Sequence, residues 1–336
     1  MFSALTDITD QIDPKFVISY WIPALVATFG GGMTWAMLTD FDFWDVWANS
    51  LDGVEQIVLA GSMVGMPTIL AFFLKAVRRP ILMLFMGTSL PRPVAEWGIR
   101  REMRAKENAY HMILASDEQD PQFFINKAHQ TLERRFPQSS ARVMPTRFGN
   151  VTANLEEYTR SMHGIDHWLW WPRLAPLLPE GMAEITATEV ANTTGLLNLS
   201  FVGAALGLGG AALLGLAGGL WTAALQVLVV GLVLAWICYR MAVAQSAEAG
   251  RHLHAAFDLY RHEILKQLKL DIPGDREAET ALWEDLSRQM LDRSFRTPST
   301  SAAANTAADI AQNGPAPGQK TVDVSRQPTS GTTSKT

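Results

Sequence analysis

The sequence predicts an all-α membrane protein: four transmembrane helices arranged as two hairpins around a mostly helical cytoplasmic domain. Three observations predict it. Four long stretches are apolar and free of charge, basic and acidic residues separate into different connecting segments, and the polar remainder places apolar residues at helical spacing. Totals alone would not decide the class. The 336 residues are 48% hydrophobic and 18% charged, with a net charge of -5. Soluble domains average roughly 45–50% apolar and about 25% charged, so distribution has to decide. The negative net charge gives no case for nucleic acid binding.

A helix needs roughly 20 apolar residues to cross about 30 Å of hydrocarbon. Residues 16–38 (FVISYWIPALVATFGGGMTWAML) and 56–74 (QIVLAGSMVGMPTILAFFL) meet that need without a charge. Residues 194–243 form one apolar block with no charge until Arg240, too long for a single span. The pair Gly218–Gly219 before Trp221 is the natural turn, which gives spans over 194–217 and 220–241. The N-terminus lacks a basic segment and carries three aspartates, which argues against a cleaved signal peptide. Phe2, Leu5, Ile8 and Ile12 recur at helical spacing, so a short interfacial helix before Pro14 is expected.

Orientation follows the basic residues. The loop 39–55 holds Asp40, Asp42, Asp45, Asp52 and Glu55 and no Lys or Arg. The segment 75–106 holds Lys75, Arg78, Arg79, Arg92, Arg100, Arg101, Arg104 and Lys106 against Glu96 and Glu102. Residues 75–193 are therefore expected in the cytoplasm, together with both termini. Trp21, Trp35, Trp44, Trp47 and Trp221 fall at the expected membrane edges.

Five regions follow: an interfacial segment and hairpin over 1–75, a cytoplasmic domain over 76–193, a second hairpin over 194–243, cytoplasmic helices over 244–293, and a tail over 294–336. In the domain, the ten apolar residues 81–90 are too short to cross, and are expected at the inner interface or packed on the domain. Helices are expected over 94–115, 121–136 (with Phe124, Ala128, Thr131 and Leu132 on one face), 151–162 and 180–192, the last leading into the third span. Residues 142–150 (RVMPTRFGN) break the helical period and suggest a strand or loop. After the fourth span, Leu253, Ala256, Phe257, Tyr260, Ile264, Leu265 and Leu268 form an apolar stripe with charges opposite, on a helix ended by Pro273–Gly274. A short helix over 276–293 follows, and the Ser/Thr/Ala/Pro/Gly-rich tail is expected to be disordered.

Little in the chain points to chemistry. No charged residue falls inside a span short of Arg240 at the end of the fourth, which counts against an ion-coupled transporter. Cys238 stands alone, so no intramolecular disulfide is possible and no CxxC motif exists. His163 and His167 are four apart with no third ligand, and His262–Glu263 is not part of HExxH. P-loop, GxGxxG and GxSxG motifs are missing, and neither a metal nor a cofactor is expected. What remains are surfaces. Gly203, Gly207, Ala211 and Gly215 lie at a step of four, as do Gly61 and Gly65, which suits close helix packing or an oligomer face. Gly30–Gly32, with Pro23 earlier in that span, suggest a hinge or a packing notch. The stretch WLWWPRLAPLLPE (168–180) contains too many prolines to span; Trp168, Trp170 and Trp171 form a domain core, a membrane-interface contact or a groove. Arg147 and Arg173 are candidate contacts for an anion or headgroup, with Glu156, Glu157 and Asp166 as possible partners.

The motifs PTRFGN (145–150), HGID (163–166), WPRL (171–174) and LLP (177–179) resemble those of a family of uncharacterised bacterial integral membrane proteins. The resemblance covers most of 75–290. That family has an aromatic residue where this chain has His163, so the chain departs from the pattern there. The resemblance implies a bacterial cytoplasmic (inner) membrane and transfers no activity.

The function expected is association, with the lipid bilayer, with a second copy, or with a cytoplasmic protein partner. A pore or uniporter for ions or small solutes is the alternative. A membrane-surface enzyme or lipid-headgroup binder is the third reading.

Overall fold

The structure, a computed structural model, describes residues 13–39, 53–115 and 122–292, without the side chains of 54–60 and Phe124. The expected interfacial segment, the acidic loop with Trp44 and Trp47, and the tail lie outside the described residues. The described residues form helices joined by short connections, with no strand among them: α1 Pro14–Thr39, α2 Gly53–Ala76, α3 Arg78–Met86, α4 Arg92–Leu114, α5 Gln122–Arg135, α6 Arg147–His163, α7 His167–Leu174, α8 Glu180–Ala217, α9 Trp221–Gln267 and α10 Arg276–Leu291. By its contacts the chain divides into two units, 1–280 and 281–336, so α10 crosses the boundary; its Trp283 and Leu286 are buried.

Three helices are long and apolar enough to cross a membrane: α1, α8 and α9. In α2, the apolar stretch with described side chains is Gly61–Ala76, within a helix of 24 residues.

Helices α8 and α9 run antiparallel. Gly215 meets Trp221, Gly207 meets Gly231, and the Ser200 hydroxyl donates to the Ala235 carbonyl at 2.8 Å, one residue number falling as the other rises. Contact is close enough that a Cβ on Gly231 would lie 2.5 Å from the Gly207 Cα. Gly219, at φ 65°, makes the turn between them, a conformation that other residues adopt at a cost.

Helix α1 docks on α8 through polar groups. Pro23 has no N–H to give to the Ser19 carbonyl four residues earlier, and a π-turn occupies Val17–Trp21. Asn198 Nδ2 donates to that Ser19 carbonyl at 2.8 Å, and Ser19 Oγ donates to the Ala191 carbonyl at 3.1 Å. Asn198 and Ser19 are both buried. The proline leaves a carbonyl without its helical donor, and α8 supplies another. Trp21 Nε1 donates to Thr68 Oγ1 of α2 at 3.2 Å. Of the glycine triplet, Gly30 is a packing notch against Leu206, while Gly31 and Gly32 face open space.

Helix α9 runs 47 residues without a break. Its apolar start packs on α8, and its polar end carries the stripe Leu253, Ala256, Phe257, Ile264 and Leu265, all buried. Helices α6 and α7 pack on α9. Of the stretch 142–150, expected as a strand or loop, residues 143–146 form a loop and 147–150 begin a helix instead. A short 3₁₀ turn covers Ser140–Arg142, and α6 begins at Arg147 because Thr146 caps it, accepting from Gly149 N at 2.9 Å. Tertiary bonds outweigh the weak helix propensity of Gly149 and Asn150.

Candidate functional site

The segment Pro145–Asn150 joins four helices. Thr146 Oγ1 donates to the Phe85 carbonyl of α3 at 2.6 Å. A Cβ on Gly98 of α4 would lie 2.5 Å from the Pro145 carbonyl oxygen, and one on Gly149 would lie 2.3 Å from that of Met86. Phe148 N donates to Tyr239 Oη of α9 at 3.3 Å. Asn150, fully buried, accepts from Met144 N at 2.7 Å and turns its Nδ2 toward Glu102 Oε2 at 3.4 Å.

Glu102 is the centre of this junction. Its side chain is 1% exposed, yet it holds a carboxylate among arginines. Arg101 Nη2 lies 2.8 Å from Oε1, Arg135 Nη2 pairs with Oε2, and Arg147 Nε lies 4.0 Å from Oε1. Arg135 also stacks on the Phe136 ring, and its Nε is buried without a partner. The Arg147 pKa is lowered, first by burial and next by the charge of Arg135; Arg240 and Arg101 push the same way and Glu102 opposes them. Arg147 therefore sits with Glu102. Glu156 and Asp166 pair instead with Arg160, at 3.1 and 2.9 Å.

The helix at 167–174 separates the tryptophans that the sequence groups together. Trp170 is fully buried, which corrects its reading as an interface or groove residue; Trp168 is 55% exposed and Trp171 is half-buried. Arg173 is exposed, donates to the Leu169 carbonyl and stacks over Trp170 at 5.5 Å. His167 is 3% exposed beside Trp171 and Phe257. Burial, then the nearby His254 charge, holds its pKa at about 4 against the pull of Asp166.

A second polar cluster joins α6 to α9. His163 Nε2 lies 2.7 Å from Asp258 Oδ1, and Tyr158 donates to Asp258 Oδ2 at 3.0 Å. The Tyr158 pKa is raised by burial and by that bond. Burial pushes the nearby Glu279 carboxyl up, but hydrogen bonds from Arg261 and His262 outweigh it and hold it at about 2. Tyr158 and His254 also line a cavity of about 650 Å³ with Lys106, Tyr110 and Phe136. The His163 imidazole is oriented by the Asp258 carboxylate, as a proton-transfer group would be. No cluster among the described residues could hold a metal ion.

No family model, curated protein or solved structure matches the chain. The geometry stands by itself.

The small residues divide. Gly203 and Gly207 pack against α9 within the chain, and Gly215 against Trp221. Ala211 is half-buried. Gly61 and Gly65 meet nothing within 4 Å. Beside the α8–α9 contact runs an apolar groove of about 710 Å³, lined by Phe29, Met33, Leu206, Val230, Leu234 and Gln226. Gln226 is exposed and makes no hydrogen bond among the described residues. Reading spacing alone passes over Glu102, Arg135, Asn150 and Gln226. Asn198 and Ser200, polar groups within an apolar span and so expected to bond between helices, do so.

Proposed function

We propose that the chain is a multi-pass protein of the bacterial cytoplasmic membrane that acts by self-association. In this reading α1, α2, α8 and α9 are four spans forming two hairpins, and both termini, with α3–α7 and the end of α9, are cytoplasmic. Supporting this placement, α9 covers about 30 Å from Trp221 to Arg240 at 1.5 Å per residue, the thickness of the hydrocarbon layer. Arg78, Arg79 and Arg104 are exposed on the side expected to be inside. The motif resemblance supports the bacterial membrane.

Gln226 carries the association reading. An amide facing hydrocarbon lacks the water that would satisfy it, and a helix from a second copy can supply the partner. The groove at its side gives that helix an apolar seat. A symmetric contact would pair Gln226 with its counterpart across a two-fold axis. Native mass spectrometry of the protein extracted from its own membrane tests this. The wild type should be oligomeric and Gln226→Leu, which leaves the internal packing intact, should shift toward monomer. Unchanged oligomer size in that variant would sink the reading.

A further inference from the structure

Three arginines face one carboxylate at the junction of α4, α5 and α6, and a fourth, Arg240 of α9, lies near enough for its charge to act on Arg147. Arg101 and Arg135 are committed to Glu102 by close ion pairs. Arg147 reaches it through Nε at 4.0 Å, and its terminal nitrogens have no partner among the described residues. Arg240 makes no ion pair there; its guanidinium lies 5.6 Å from the centre of the exposed Trp236 ring. The bond from Phe148 N to Tyr239 Oη ties together the residues next to Arg147 and Arg240, which fixes the two arginines on neighbouring helices. Arg147 also feels the positive charge of Arg240 directly. A guanidinium does not lose its proton in a protein, so the surplus charge calls for an anion. Burying a lone carboxylate is costly, and such charges are sometimes kept for the order they impose. Here Glu102, held by Asn150, fixes the arginines around it.

Position says which anion. On the membrane placement proposed above, on which this inference rests, Arg240 closes the charge-free part of α9 at headgroup level, beside a tryptophan facing the lipid. We propose that Arg147 and Arg240 together bind the phosphate of an anionic lipid headgroup, with Glu102 as the positioning residue behind them. Guanidinium forks match phosphate oxygens in pairs, and the surplus charge disfavours zwitterionic lipids whose ammonium groups would be repelled.

The test uses the full chain reconstituted in phosphatidylcholine vesicles with and without phosphatidylglycerol. Retained lipid is read by native mass spectrometry after extraction. The wild type should retain phosphatidylglycerol preferentially. Arg240→Gln should bind it about tenfold more weakly, and the double variant with Arg147→Gln more weakly still, while Arg92→Gln, at an exposed pair with Glu96, should bind as the wild type does. Arg240→Gln is the decisive variant, because Arg240 makes no ion pair or hydrogen bond among the described residues, and its loss should leave the junction folded. Equal retention of both lipids, or no change in Arg240→Gln, would overturn the site. Displacement of the lipid by millimolar inorganic phosphate would assign the arginines to a soluble phosphate and overturn the lipid reading. A chain released from membranes by alkaline carbonate would overturn the membrane placement and this site with it, a result distinct from lost selectivity.

Discussion

Two interfaces in this chain hold helices together by opposite means. Between α8 and α9, glycine meets glycine and backbone nearly touches backbone. Around Pro145–Asn150, the helices are joined by side chains bonded to backbone and by a buried carboxylate among arginines. Lipid tails are as apolar as leucine, so spans gain little from burying apolar surface and depend on close approach. On the placement proposed above the second interface lies in water, where helices gain from burial in any arrangement, so directed bonds decide which arrangement forms. The first interface should fail sterically and the second electrostatically.

The largest expected effect is electrostatic. Glu102→Gln keeps the shape of the side chain but leaves three arginines around an uncharged group. Removing one partner of a buried pair costs about 3–5 kcal/mol. A fall in the thermal midpoint in detergent would report it, and an unchanged midpoint would mean that the junction is not held by charge. At the glycine interface, Gly231→Leu drives a side chain into the Gly207 backbone, which cannot rotate away. Overpacking of this kind costs about 1–3 kcal/mol or more. Gly61→Leu, at an open position, should change stability by less than about 0.5 kcal/mol. Equal effects from the two would remove the contrast between internal and open glycines. Gly207→Leu should likewise disturb the folded chain itself, whatever its oligomeric state.

A smaller effect tests the polar joint inside the apolar layer. Asn198→Leu removes the donor to Ser19, and an unsatisfied carbonyl costs about 1–3 kcal/mol. Pro23→Ala restores an N–H that can reach the same carbonyl. The cost of Asn198→Leu should therefore shrink in the Pro23→Ala background, and strict additivity would show that the two residues do not serve one carbonyl.

The same division explains what can be read from the sequence. The apolar helices α1, α8 and α9, the Gly218–Gly219 turn and the buried stripe on α9 follow from composition and period, which depend on local order. Glu102 could not be found that way. Spacing shows a basic segment but not which charge turns inward, because that depends on Arg135 and Asn150, distant in the chain. The tryptophans teach a related lesson. Trp168 and Trp170 are two residues apart, and on a helix that separates them by about 200°, so one enters the core while the other faces out. Grouping WLWW as one surface assumed a conformation that the chain does not adopt.

A last effect reads the polar layer by pH. His167 is buried and its Nδ1 has no partner, so its neutral form is favoured. Its folded pKa is about 4 against an ordinary 6.5, first because burial penalises the charge and then because His254 repels it. Below the ordinary value the unfolded chain takes up a proton that the folded chain refuses. Stability from this site is thus complete above pH 6.5 and is lost as pH falls toward 4, by up to about 1.4 kcal/mol per pH unit. Glu279 acts in a lower window: its carboxyl pKa is about 2 against 4.5, so its contribution is present above pH 4.5 and fades below it. Between these ranges His167 can be tested apart from Glu279. Melting wild type and His167→Phe from pH about 7 to about 5 should show the wild type losing stability faster, so that the gap between them narrows with acid. Parallel curves would mean that His167 keeps an ordinary pKa, and that the layer around Trp170 admits water which the apolar helices exclude.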